Sequence, residues 1–153
     1  GLSCPSLNEE TGEELVDVRT RLTIRPHIPG DALATFAYPS TIIEATESGQ
    51  ILSFNPDFYE GRIAEYLSNG RDRVMLPGPC YRTDMVIHHG ASGGPVAGPS
   101  GRVFGINSTG FDGTNDFYIS RINEIFSLEI ETGESDSITI QQLVNEGAVT
   151  VDP

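Results

Sequence analysis

Gly90-Ala91-Ser92-Gly93-Gly94-Pro95-Val96, followed after a short turn by Arg102-Val103-Phe104-Gly105-Ile106-Asn107-Ser108-Thr109-Gly110, carries the strongest signal in this chain. A serine between glycines on a tight turn has a definite physical use. Glycine accepts positive φ, so successive N–H groups can point into one concavity. Such a nest holds a developing oxyanion while the exposed hydroxyl attacks a carbonyl. The same residues also fit a plain hairpin turn, because Gly-Gly-Pro is common punctuation. Local sequence leaves both readings open.

Composition narrows the function classes. The 153 residues hold 9 basic and 22 acidic side chains, a net charge of −13. That sign repels phosphate backbones and anionic lipid, so neither nucleic acid nor a membrane surface is an expected partner. Every basic residue is arginine, which removes the P-loop lysine, Schiff-base chemistry and a Ser–Lys dyad. Seventeen Gly and ten Pro indicate a turn-rich, β-rich chain. Cys4 and Cys80 are too few for a disulfide framework or a zinc site, and their pairing stays open. No metal or cofactor is expected. No run of eighteen apolar residues is present to span a membrane. The chain begins at Gly1 with no apolar signal core, so a signal peptide is absent or already removed. The compartment stays open, and removal would make it secreted or periplasmic.

Residues 1–27 read as an acidic leader or linker. Beyond them, short apolar runs are separated by turn signals such as Pro29-Gly30, Asn69-Gly70 and Ser100-Gly101. Leu22–Ile24, Ala32–Tyr38, Thr41–Ile43, Ile51–Phe54, Arg73–Leu76, Met85–Ile87 and Arg102–Ile106 are the candidate strands, with 60–68 leaning the same way. Many short strands at this spacing suggest an antiparallel barrel or sandwich. Helical signal comes late. Ser120 is placed to cap a helix with Ile122, Ile125 and Phe126 on one face. Thr139-Ile140-Gln141-Gln142 forms a capping-box pattern, with Gly147 as a stop. Between them, Glu129 to Asp136 reads as an acidic connector.

Taken with its flanks, the Ser92 pattern resembles the second, nucleophile-bearing barrel of chymotrypsin/trypsin-like serine peptidases, in particular the bacterial and HtrA-like branches. Pro29-Gly30-Asp31 with Ala34–Pro39 looks like the strand that opens this barrel. Asp116–Ser120 and Ile122–Phe126 look like its last strand and terminal helix. The resemblance implies a mainly β fold, an antiparallel six-stranded barrel over 28–128 with one or two C-terminal helices. Residues 129–153 then form an extension with a short helix. It makes Ser92 the nucleophile and the N–H groups of Gly90 and Ser92 the oxyanion hole. Asn107, Ser108, Thr109 and Gly110 become the strand that pairs with a peptide or protein substrate, and Val86, His89 and Asp116 line the specificity pocket. Asp116 fits a turn carboxylate as well.

Three departures qualify the resemblance. Ala91 stands where vertebrate enzymes carry the aspartate that receives a new N-terminus. Val86 stands where trypsins carry theirs. The histidine and aspartate of the family's triad lie on a first barrel, and about thirty residues before position 28 cannot supply six strands. His27 lies between prolines and reads as linker. Neither His88 nor His89 is placed to take the Ser92 proton, and adjacent strand residues face opposite ways, which disfavours a metal pair. The expectation is a half-domain of a serine endopeptidase, nearly inactive alone, completed by an N-terminal lobe or a second copy over an exposed barrel face. The alternative is a non-catalytic peptide-binding module on the same barrel.

Overall fold

The computed structural model describes Thr11, Thr114 and residues 20–39, 42–46, 49–88, 90–110, 116–131 and 137–153. Its strands are β1 (Arg21–Thr23), β2 (Ala32–Ala37), β3 (Ile42–Thr46), β4 (Gly49–Ser53), β5 (Asp57–Leu67), β6 (Cys80–Thr83), β7 (Pro95–Ala97), β8 (Val103–Gly110), β9 (Phe117–Arg121), β10 (Glu129–Glu131), β11 (Ser137–Thr139) and β12 (Thr150–Asp152). One α-helix, α1 (Ile140–Asn145), and a 3-10 turn over Ile122–Ile125 complete the described elements.

Six strands close on themselves. β7, β2, β5, β6 and β9 pair in that order, and β8 joins β9 to β7, so the barrel has no internal edge. All of these barrel pairings are antiparallel. β1 then lies parallel to β8 at Leu22 and Val103, with β12 parallel to β1. Asp152 fastens this addition by taking hydrogen bonds from Arg21 and Arg102.

Strand periodicity explains the core. In β2, Leu33, Thr35 and Ala37 are buried while Phe36 points out, the two-residue alternation of a half-buried strand. Leu33, Tyr59, Ile63, Tyr81, Met85, Val96, Phe104 and Ile119 fill the barrel. Gly105 is required by this packing. A Cβ there would lie 2.3 Å from Ile119 Cγ2, deep in the core. Cys80 is fully buried among Leu76 and Tyr118, and burial pushes its thiol pKa up. No helix among the described residues is long and apolar enough to cross a membrane.

The structure corrects several local expectations. Arg73–Leu76 is a loop, because the Asp72 carboxylate accepts the Val74 and Met75 N–H groups at 2.8 and 2.6 Å and Leu76 O accepts from Arg71 N. Met85–Ile87 is not a strand either: Met85 is buried in the core while Val86 is exposed. Ser120 does not cap a helix; it lies in β9 opposite Cys80, and Arg121 precedes the 3-10 turn. Composition gave no hint of β6, β7 or β12. The acidic connector opens with β10, which pairs antiparallel with β11 just beyond it. The capping box is present as expected, with Thr139 Oγ1 accepting from Gln142 N and Gln142 Oε1 accepting from Thr139 N. Cys4 lies outside the described residues.

Two outcomes follow from this packing. Gly105→Ala forces Ile119 or the β8–β9 backbone apart and is expected to lower stability by about 1–3 kcal/mol, read by urea unfolding. The Met75 and Val74 amides, with a smaller contribution from Arg71, hold the Asp72 carboxyl at about 2. A depressed carboxyl adds stability in full above its unfolded value, near 3.9, and loses it as pH falls through the folded value. Asp72→Asn should therefore flatten the loss of stability between about pH 4 and about pH 2, measured by urea unfolding across that range. Wild-type steepness in the variant would contradict the assignment.

Candidate functional site

The loop from β6 to β7 carries Ser92 to the surface, three residues before Pro95 opens β7. Gly90 and Gly93 have φ of +93° and +88°, the left-handed region that an L side chain resists. These two inversions fold the chain into a tight turn, with Gly94 N–H donating to Ala91 O at 3.0 Å. The turn is fixed to β8 from both sides. Gly93 N–H donates to Asn107 O at 2.8 Å, and Asn107 N–H donates to Gly94 O at 2.9 Å. Ala91 is buried beneath, and Ser92 is exposed on top. The N–H groups of Gly90, Ala91 and Ser92 donate to no described residue. Positive φ at a glycine is one element of the backbone turn from which an anion nest can be built.

The Ser92 hydroxyl donates to Ser108 O at 3.1 Å. Ser108 falls in a bulge of the β8–β9 ladder, between the pairs Asn107–Ile119 and Thr109–Tyr118. A bulge re-aims the local backbone. No described imidazole lies within hydrogen-bonding distance of the Ser92 hydroxyl. β7 pairs with β8 only as far as Ile106.

The other expected site residues are placed as follows. Val86 is half-exposed, and His89 lies outside the described residues. Asn107 is 4% exposed, with its side chain inside the barrel, donating through Nδ2 to Thr35 Oγ1 at 2.9 Å. The Asn107-Ser108-Thr109 sequon is therefore inaccessible in the folded chain. Thr109 Oγ1 accepts from Arg71 Nη1 at 2.8 Å, and Gly110, the exposed end of β8, lies opposite Phe117. Asp116 meets Arg82 Nη1 at 3.2 Å, and Arg82 also meets Glu65 at the same distance. Glu65 first, and then Asp116, push the guanidinium pKa further up. With that partner, the Asp116 carboxylate is not a free charge awaiting a basic side chain.

Three features were missed in the sequence. Arg71 sits with its guanidinium 4.9 Å over the Tyr118 ring and paired with Asp72, buttressing Thr109 from behind. His88 Nδ1 lies 3.2 Å from the hydroxyl of Tyr59, whose pKa is raised by burial and then by the Asp57 charge. His27 is not linker: its ring stacks on Phe104 at 4.0 Å, and Nδ1 meets Asp31 Oδ2 at 3.1 Å. That pair looks like half a triad, yet it sits beside Gly98, at the end of β7 away from Ser92. The ring that each of the three packs on or bonds to, Tyr118, Tyr59 or Phe104, lies far from it in sequence.

A side chain is disfavoured at both inverted positions of the turn. Gly93→Ala has open space around it and should pay only the left-handed backbone penalty, about 1–2 kcal/mol. Gly90→Ala adds a 3.3 Å contact with Pro39 Cα and should lose more. Paired urea unfolding curves read the difference.

No known family profile matches the chain, and no curated protein matches it in sequence. Its fold is nonetheless found among solved structures. An inactive serine-to-alanine mutant of Rv3671c from M. tuberculosis H37Rv superposes with a TM-score of 0.52 at 18% identity, covering 84% of this chain and 53% of that one. The inactive form of the Rv3671c protease gives 0.50 at 21%, covering 69% and 50%. The HtrA-type protease AlgW bound to a decapeptide, as a serine-to-alanine mutant, gives 0.52 at 18%, covering 90% and 36%. The chain thus spans about half the length of the first two and about a third of the last. Identity this low speaks to architecture alone, and the architecture is that of a trypsin-like serine peptidase barrel.

Proposed function

We propose that this chain is the nucleophile-bearing barrel of a serine endopeptidase that needs a second lobe for catalysis. The observation carrying this reading is the Gly90–Ser92 turn: an exposed hydroxyl next to amides that donate to no described residue, fixed to β8 beside an open strand edge. A peptide pairing with Ser108–Gly110 beyond the end of β7 lays its carbonyl carbon near Ser92, by strand addition. Ser92 Oγ then forms a bond to that carbon, while its proton passes to an imidazole on the second lobe. The Gly90 and Ser92 amides bind the oxygen as it gains charge. Collapse breaks the peptide C–N bond, and the imidazole returns its proton to the leaving amine. Water repeats the sequence to free the acyl group from Ser92. With Asp116 held by Arg82, a strict preference for a basic residue at the scissile bond does not follow.

The second lobe has a face to occupy. Phe36 and Phe58 are cross-strand partners on the outside of the barrel, stacked at 6.2 Å, and Tyr38 and Phe54 extend the strip. All four are exposed, Phe58 at 72%. Phe36 and Phe58 border a cleft of about 610 Å³ with Ala34, Pro95, Ala97 and Val103. A contiguous exposed apolar face of this kind marks an interaction surface. Pro39, just past this strip, stands beside Gly90, its Cα 3.3 Å from where a Cβ on Gly90 would lie, so a lobe seated there lies next to the Ser92 turn.

Without a base the serine is a weak nucleophile, and the chain alone should hydrolyse peptides orders of magnitude below a complete enzyme. A fluorophosphonate probe tests the assignment. Slow, stoichiometric modification of Ser92, absent in Ser92→Ala and accelerated by a histidine-bearing lobe, is the expected result. No labelling even with that lobe present, together with retained peptide binding, would make the chain a non-catalytic peptide-binding barrel.

A further inference from the structure

Asn107 is a polar side chain inside an otherwise largely apolar barrel. It is 4% exposed, and its Oδ1 is buried with no hydrogen-bond partner. A buried acceptor left unpaired destabilises the fold, so its retention calls for a compensating role. The other half of the amide has one. Nδ2 donates to Thr35 Oγ1 at 2.9 Å, and the Thr35 hydroxyl donates to Pro95 O at 2.6 Å. This relay fixes the orientation of the amide, because a hydroxyl already donating to Pro95 can only accept from Asn107. It joins β8, β2 and β7 directly under the Ser92 turn. The same residue holds that turn through its backbone, with Gly93 N–H donating to its carbonyl and its own N–H donating to Gly94 O. The space is tight: a Cβ at Gly94 would lie 3.0 Å from Ala91 O, 3.2 Å from Phe36 O and 3.3 Å from Asn107 Nδ2.

We propose that Asn107 is the positioning residue of the Ser92 turn. Its side chain, through Thr35 and Pro95, sets where β8 stands relative to β7 and hence where its backbone holds Gly93 and Gly94. The inference rests on Ser92 being the reactive group. An apolar residue would satisfy the barrel but leave β8 free to shift under the turn. A displacement of this kind, even about 1 Å, costs on the order of a hundredfold in a positioned reaction.

The test uses Asn107→Leu, Thr35→Val and Thr35→Ser in the whole chain, with three readouts. These are the melting temperature, single-residue amide exchange by NMR, and the rate of Ser92 modification by a fluorophosphonate. Asn107→Leu is expected to melt no lower than wild type, whereas Thr35→Val, which strips the Asn107 amide of its remaining partner, melts lower. Their Gly93 amide should exchange faster while the Ile119 amide keeps its protection, and probe labelling should slow by about ten- to a hundredfold. Thr35→Ser keeps the hydroxyl relay and should restore both. Wild-type Gly93 exchange and labelling in Thr35→Val overturn the proposal. So does a lower melting temperature with Ile119 loosened as much as Gly93, which marks a general core role. If Asn107→Leu does not fold, the two Thr35 variants decide. If wild-type Ser92 takes no probe, the peptidase reading fails, while Gly93 exchange still decides the role of Asn107.

Discussion

The bare backbone of Gly105 lets Ile119 press against β8, and this close approach closes the barrel. β8 is shared by three neighbours, β7, β9 and β1, so its position sets theirs. Asn107 stands two residues further along the same strand, and Ser108 follows in the bulge. One strand thus connects the tightest point of the core to the turn that presents Ser92. The relation between scaffold and site is accordingly short and direct. Main-chain hydrogen bonds at Asn107 hold the turn, with no flexible segment between.

Much of the fold was legible where local pattern and burial agree. The short apolar run Ala32–Tyr38 gave β2, and the capping box gave α1, because in both cases neighbouring residues supply the physics. The reading failed where a side chain overrides propensity. Val74 and Met75 belong to a strand-like run, but the Asp72 carboxylate takes their N–H groups, and none remain for a ladder. β6 was hidden because Cys80-Tyr81-Arg82-Thr83 has no clean apolar alternation; its strand character comes from pairing with β5 and β9.

The site divides in the same way. The turn around Ser92 was readable because glycine spacing dictates backbone shape, and the structure has positive φ at Gly90 and Gly93. Side-chain roles were far less readable. Asp116 is bound to Arg82 from a strand 34 positions away in sequence, and Thr109 rests on Arg71 across 38. His27 shows the converse hazard. Its flanking prolines read as linker, yet the fold stacks it against Phe104 at the far end of β7 and pairs it with Asp31.

The aromatic strip from Phe58 to Phe54 has a colloidal consequence. Rings left open to solvent attract one another between molecules, while a net charge of −13 drives the molecules apart. Electrolyte decides which of the two governs, because the screening length shrinks from about 10 Å at 0.1 M to about 3 Å at 1 M. Low ionic strength therefore favours dispersion of this chain, and high ionic strength weakens the repulsion that opposes contact between the exposed rings.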